Sequence, residues 1–80
     1  MFQIDFASRT PIYEQLYNNI LQLISLNVLK PHDKLPPVRT LAIELGVNPN
    51  TISKVYKMLE SDGYIERGKC SERADSRYNE

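Results

Sequence analysis

The stretch Lys34-Leu35-Pro36-Pro37-Val38-Arg39-Thr40-Leu41-Ala42-Ile43-Glu44-Leu45-Gly46-Val47-Asn48-Pro49-Asn50-Thr51-Ile52-Ser53-Lys54-Val55-Tyr56-Lys57-Met58-Leu59-Glu60-Ser61-Asp62-Gly63-Tyr64-Ile65 decides the fold. Its first half predicts a short helix from Pro37 to Leu45, with Leu41, Ala42 and Leu45 on the buried face and Val38 extending it. Gly46 stands just past the end, where a left-handed backbone favours glycine. Asn48 is a strong helix cap, and Pro49 fits the first helical position because that position needs no N–H. Ile52, Val55, Tyr56 and Leu59 fall at i, i+3, i+4 and i+7, so the helix that follows buries one side. Gly63 ends it, and an extended segment begins at Tyr64. Helix, tight turn, capped helix and strand in that order predict a helix-turn-helix leading into a wing, mainly α with a small β wing around a three-helix core.

Upstream, Phe2, Ile4 and Phe6 alternate with Gln3 and Asp5 and suggest a short extended arm. Thr10 is placed to cap a first helix that opens at Pro11 and runs to about Asn27, with Glu14 in its first turn. Ile12, Leu16, Ile20, Leu23 and Ile24 form one apolar stripe, and Tyr13, Tyr17 and Leu21 form a second beside it. The second stripe fits either the margin of a buried helix or a surface for a partner. Lys30 to Lys34 reads as a turn that exposes His32, and Leu35 enters an extended piece able to pair with the wing.

Downstream, Tyr64 to Arg67 reads as a strand and Gly68-Lys69 as its turn. Residues 70–80 carry one aromatic, no branched aliphatic residue and mixed charge, and are expected to form a disordered or truncated tail behind a domain of residues 1–69.

Composition narrows the function. Eighty residues leave little room for a catalytic cleft beside a core. No Ser/His or Cys/His set, phosphate-cradling glycine loop or metal cluster is visible, so no catalytic residue, metal or cofactor is assigned. Cys70 and His32 are the only residues of their kinds and lie far apart in sequence. No secretory signal or membrane-spanning run is present, which makes a cytoplasmic protein the expectation.

Net charge is zero. From residue 37 to 69, Arg39, Lys54, Lys57, Arg67 and Lys69 face Glu44, Glu60, Asp62 and Glu66, a surplus of one base. Glu44, Glu60 and Asp62 fall late in their helices, away from the starts that would meet a nucleic acid.

The leading end of a recognition helix touches base edges in the major groove. Here that end offers Asn48, Asn50, Thr51, Ser53 and Lys54, with Lys57 one turn further and Arg39 early on the preceding helix. Asparagine can pair with adenine through two hydrogen bonds, threonine can meet a phosphate or a thymine methyl, and lysine can reach guanine or phosphate. Each also has a plain structural role: Asn48 as a cap, Arg39 in a surface ion pair, the others as idle polar surface.

At this point the chain resembles the GntR family of bacterial transcriptional regulators. The matching residues are Leu35-Pro36, Arg39, Leu41-Ala42, Leu45-Gly46-Val47, Thr51-Ile52, Val55-Tyr56, Leu59 and Gly63-Tyr64-Ile65. With Pro11-Ile12-Tyr13-Glu14-Gln15-Leu16 and the 20–24 stretch, the likeness covers about residues 9–69. The Pro-Ile-Tyr-Glu-Gln opening is most similar to the YtrA subfamily, and the MocR and HutC subfamilies begin similarly.

The resemblance implies a winged helix-turn-helix that binds operator double-stranded DNA to control transcription, with repression expected, and a homodimer on a near-palindromic site. It implies operator contacts at Arg39, Asn48, Pro49, Asn50, Thr51 and Ser53, and a wing at Gly68 and Lys69 approaching the minor groove. Three positions depart from the pattern. Pro37 replaces the usual serine cap, Pro49 replaces a base-reading arginine, and after Gly68-Lys69 no apolar return strand is visible at Cys70-Ser71. The last leaves the completeness of the wing open, and no residues remain for an effector domain, so an effector ligand is not expected on this chain. A winged-helix protein–protein module without a DNA role is the alternative reading.

Overall fold

The computed structural model describes residues 3–70. In chain order they form α1 (Ile12–Ser25), α2 (Val38–Leu45), α3 (Pro49–Ser61), β1 (Ile65–Glu66) and β2 (Lys69–Cys70). This is the expected three-helix body with a small sheet.

Each helix buries the stripe its sequence carries. Leu16, Ile20 and Ile24 of α1, Leu41 and Ala42 of α2, and Ile52, Val55 and Leu59 of α3 are buried. Leu29, Leu35, Ile65 and Cys70 close the core from the loop and the sheet. Truncating a buried leucine such as Leu59 to alanine costs about 2–5 kcal/mol, because both the apolar contact and the filled volume are lost. The second stripe of α1 has a use inside the chain. Tyr13, Tyr17 and Leu21 pack half-buried against that core, and both tyrosines reach α3.

The helix ends follow local chemistry, with one correction. At α3 the Asn48 side chain accepts a 2.8 Å hydrogen bond from the Asn50 N–H, and Pro49 takes the first helical position. At α2, Pro37 is the capping residue and supplies no side-chain bond, as the missing serine implied. Gly46 adopts φ 66°, and the Val47 N–H returns to the Ala42 carbonyl, which stops the helix. At α1, however, Thr10 does not cap: Pro11 occupies that position. The Gln15 side chain instead clamps the entering chain, donating to the Asp5 and Thr10 carbonyls and accepting from the Asp5 N–H. Residues 3–6 of the arm are likewise not an alternating strand, and Phe2 lies outside the described residues. The arm turns at Asp5, whose carboxylate accepts from the Ala7 N–H, so Ile4 packs on the core while Phe6 stays 66% exposed. The C-terminal end of α1 falls at Ser25, short of the expected Asn27, which lies beyond it at φ 61°.

The wing has the return strand that its sequence did not reveal. β1 and β2 are antiparallel, with Ile65 opposite Cys70 and Glu66 opposite Lys69. Arg67 and Gly68 turn between them with φ 54° and 79°, the positive pair that the I′ form of a two-residue hairpin loop requires. Cys70 is 2% exposed, and its thiol side chain fills the inward place that an aliphatic residue would otherwise take. Cys70 therefore belongs to the folded body. The rest of the expected tail, residues 71–80, lies outside the described residues.

The segment before α2 pairs with the other edge of β2. Lys34 bridges Lys69, and the Leu35 N–H donates to the Gly68 carbonyl. The Cys70 N–H reaches the Asp33 carbonyl, and the His32 N–H reaches the Cys70 carbonyl. The anticipated pairing of the Leu35 segment with the wing is thus present.

Candidate nucleic-acid interface

α3 positions most of the candidate residues. With Ile52, Val55 and Leu59 facing the core, 100° per residue puts Asn50, Lys54, Lys57 and Ser61 on the opposite side. Asn50, Ser53, Lys54, Lys57, Met58 and Ser61 line one shallow concavity along that face. Asn50, Lys54 and Lys57 are exposed, and Ser53 is half-buried.

A second shallow groove lies at the leading end of α3. Its lining is Arg39, Ala42, Ile43, Gly46, Val47 and Pro49, so Arg39 of α2 shares a wall with the first residue of α3. Asn50 lines the other concavity and Thr51 lines neither. The Tyr56 hydroxyl supports the shared wall by donating a 2.7 Å hydrogen bond to the Pro36 carbonyl, tying α3 to the chain just before α2. Burial pushes the Tyr56 phenol up to about 12.

Other candidates are placed differently. Thr51 is half-buried and lies on the flank of α3 that turns toward α1, the same flank as Met58 and Asp62. Asn48 spends its carbonyl oxygen on the cap, while its amide nitrogen remains a donor at the helix start. The Lys54 ammonium sits 4.2 Å from the Tyr13 ring centroid, a cation–π contact that draws it toward α1. Gly68 and Lys69 lie at and beside the wing tip, both exposed, with exposed Arg67 next to them.

Sequence reading missed three ties that fix these parts. Tyr56 to Pro36 is one and Lys54 to Tyr13 is another. In the third, Tyr17 donates its hydroxyl to the Asp62 carboxylate at the end of α3, and burial together with that acceptor holds the Tyr17 phenol above the ordinary tyrosine range. The signal for the two α1 ties was the tyrosine stripe itself, four residues apart on one face of α1. No group of three or more metal-ligating side chains occurs among the described residues, and no helix there is long and apolar enough to cross a membrane.

Comparison with known proteins decides the relationship. Residues 12–70 match the sequence profile of the family described as bacterial regulatory proteins, gntR family. The chain belongs to the GntR family. Over 66 residues it is 53% identical to the HTH-type transcriptional repressor YtrA of Bacillus subtilis, covering 82% of this chain and 51% of that protein. It is 44% identical over 61 residues to the HTH-type transcriptional regulator YhcF of the same species, covering 76% of this chain and 50% of that one. This GntR-family chain thus spans about half the length of these relatives.

Solved structures agree on the fold. YtrA from Sulfolobus acidocaldarius, a GntR-family transcription factor, superposes with a TM-score of 0.77 at 43% identity, over 85% of this chain and 74% of that one. A GntR family transcriptional regulator from Listeria monocytogenes superposes with a TM-score of 0.82 at 34% identity, over 92% of this chain and 71% of that one. The winged-helix reading of the GntR-family chain is therefore sound, and the YtrA likeness read from its opening residues is matched by these relatives.

Proposed function

We propose that this chain is the DNA-binding part of a transcriptional regulator, acting as a repressor and not as an enzyme. Its α3 enters the operator major groove with the leading end foremost. Arg39, Asn48, Asn50, Thr51, Ser53, Lys54 and Lys57 serve as contacts to bases and phosphates, and Gly68 with Lys69 carries the wing toward the adjacent minor groove. The protein works in the cytoplasm, where its operator is.

One observation carries the reading: the exposed polar face of α3, with Asn50 and Lys57 outward, begins beside Arg39 at the groove shared with Pro49. Hydrogen-bonding side chains at a helix start suit base edges, and the cations flanking them suit phosphates. A symmetric pair of chains on two half-sites about one helical turn or a multiple apart completes the arrangement.

Selection from random double-stranded oligonucleotides by the purified chain tests this. Enrichment of a short half-site, with affinity falling as salt rises, is the expected result. Failure to enrich any sequence would favour the protein–protein module instead.

A further inference from the structure

The groove shared by α2 and α3 is apolar except for Arg39. Ile43 is 82% exposed, the most exposed of the large hydrophobic side chains among the described residues. A single exposed aliphatic residue is ordinary. Ile43, however, shares its groove with Ala42, Val47 and Pro49, and with Gly46, where a Cβ would meet nothing within 4 Å. The result is a continuous apolar wall, and it stands at the very start of the helix that otherwise presents polar groups.

Pro49 sharpens the point. As the first residue of α3 it is exposed and has no backbone N–H, so it offers only carbon to whatever faces it. If α3 docks by its leading end, Pro49 and Ile43 meet the floor or wall of the major groove. The major groove displays one apolar group on its base edges, the 5-methyl of thymine.

Resting on the docking proposed above, we infer that Pro49 and Ile43 form a thymine-methyl reader, with one thymine of each half-site seated in this groove and the Arg39 guanidinium at its rim. The groove thereby determines specificity at a base pair with which no polar side chain need bond.

Deoxyuridine tests this directly, since it lacks the methyl and keeps every hydrogen-bonding group of thymine. The full chain is first used to select an operator, and each thymine is then replaced singly by deoxyuridine, with Kd read by fluorescence anisotropy. One replacement per half-site is expected to weaken binding by about fourfold, the worth of one buried methyl. In Ile43→Ser and Pro49→Ala chains, checked as folded by circular dichroism, that penalty should shrink to near unity. Specific binding that is indifferent to every deoxyuridine overturns the inference and leaves the docking standing. A penalty that persists in both variants but vanishes in Thr51→Ser assigns the methyl to Thr51 and overturns the groove. Failure to select any operator overturns the docking itself.

Discussion

The Tyr56 hydroxyl donates a 2.7 Å hydrogen bond to the Pro36 carbonyl oxygen, across twenty residues of sequence. That bond joins the middle of α3 to the chain that delivers Arg39. Pro36 and Pro37 carry few backbone freedoms, so fixing one carbonyl fixes the start of α2. Tyr56→Phe should therefore lower stability by about 1 kcal/mol, seen as a fall in Tm of about 4–8 °C. The same variant should bind operator less tightly than its stability loss alone explains, since Arg39 would no longer be held.

Alkaline stability follows from the same residue. Burial raises the Tyr56 phenol to about 12 and, with the Asp62 acceptor, raises Tyr17 as well. A phenol whose proton is held more tightly in the folded state adds stability that is complete below about pH 10, the ordinary tyrosine value, and that drains away as pH climbs toward 12. Denaturant midpoints measured from pH 8 to 12 should fall across that window. Tyr56→Phe should flatten part of the slope, and Tyr17→Phe another part.

Asn48 separates capping from base reading. Its carbonyl oxygen holds the Asn50 N–H, so Asn48→Ala should cost about 0.5–2 kcal/mol in a thermal melt. Asn48→Asp keeps the acceptor and adds a negative charge that suits the helix start, so stability should hold or rise slightly. Operator affinity should drop nonetheless, because in the proposed docking that charge would face phosphates.

Arg39 and Lys57 should divide by their salt behaviour. Loss of a bidentate base contact in Arg39→Ala would cost about 1–3 kcal/mol in operator affinity while leaving the melt unchanged. Lys57→Ala should weaken binding similarly on every sequence and lower the log Kd against log salt slope by about one. Lys54 should show less of either effect, because its ammonium already rests on the Tyr13 ring.

The Cys70 thiol, 2% exposed, should escape alkylation in the native chain and react once the chain unfolds. Counting modified protein by mass spectrometry with and without denaturant checks this. Rapid labelling under native conditions would show that β2 is not held as described.

What could be read in the chain was what local chemistry announces. Gly46 and the Asn48-Pro49 pair mark a turn and a helix start by backbone demands that few other residues meet. The spacing of Ile52, Val55 and Leu59 fixed the outward face of α3 by simple rotation. Cys70 escaped notice because a thiol is read for its chemistry before its volume, and a two-residue strand has no period to detect. Thr10 has the type of a cap, but Pro11 holds that position without a side-chain bond, and Gln15 holds the entering chain instead, by donating to the Thr10 carbonyl. The pairings of Tyr56 with Pro36, Tyr17 with Asp62 and Lys54 with Tyr13 join distant residues, and only packing brings such groups together. The half-buried setting of Thr51 depends on where α1 lies, which no local signal in α3 announces.

β2 is bonded along both edges, to β1 on one side and to the 32–35 segment on the other. The stalk of the hairpin is thus part of the frame and not a hinge, and only Arg67 and Gly68 project beyond it. A two-point grip formed by α3 and the hairpin tip would have its geometry set before any encounter. The entropy of aligning the two is then spent in folding, once, and not again at each operator.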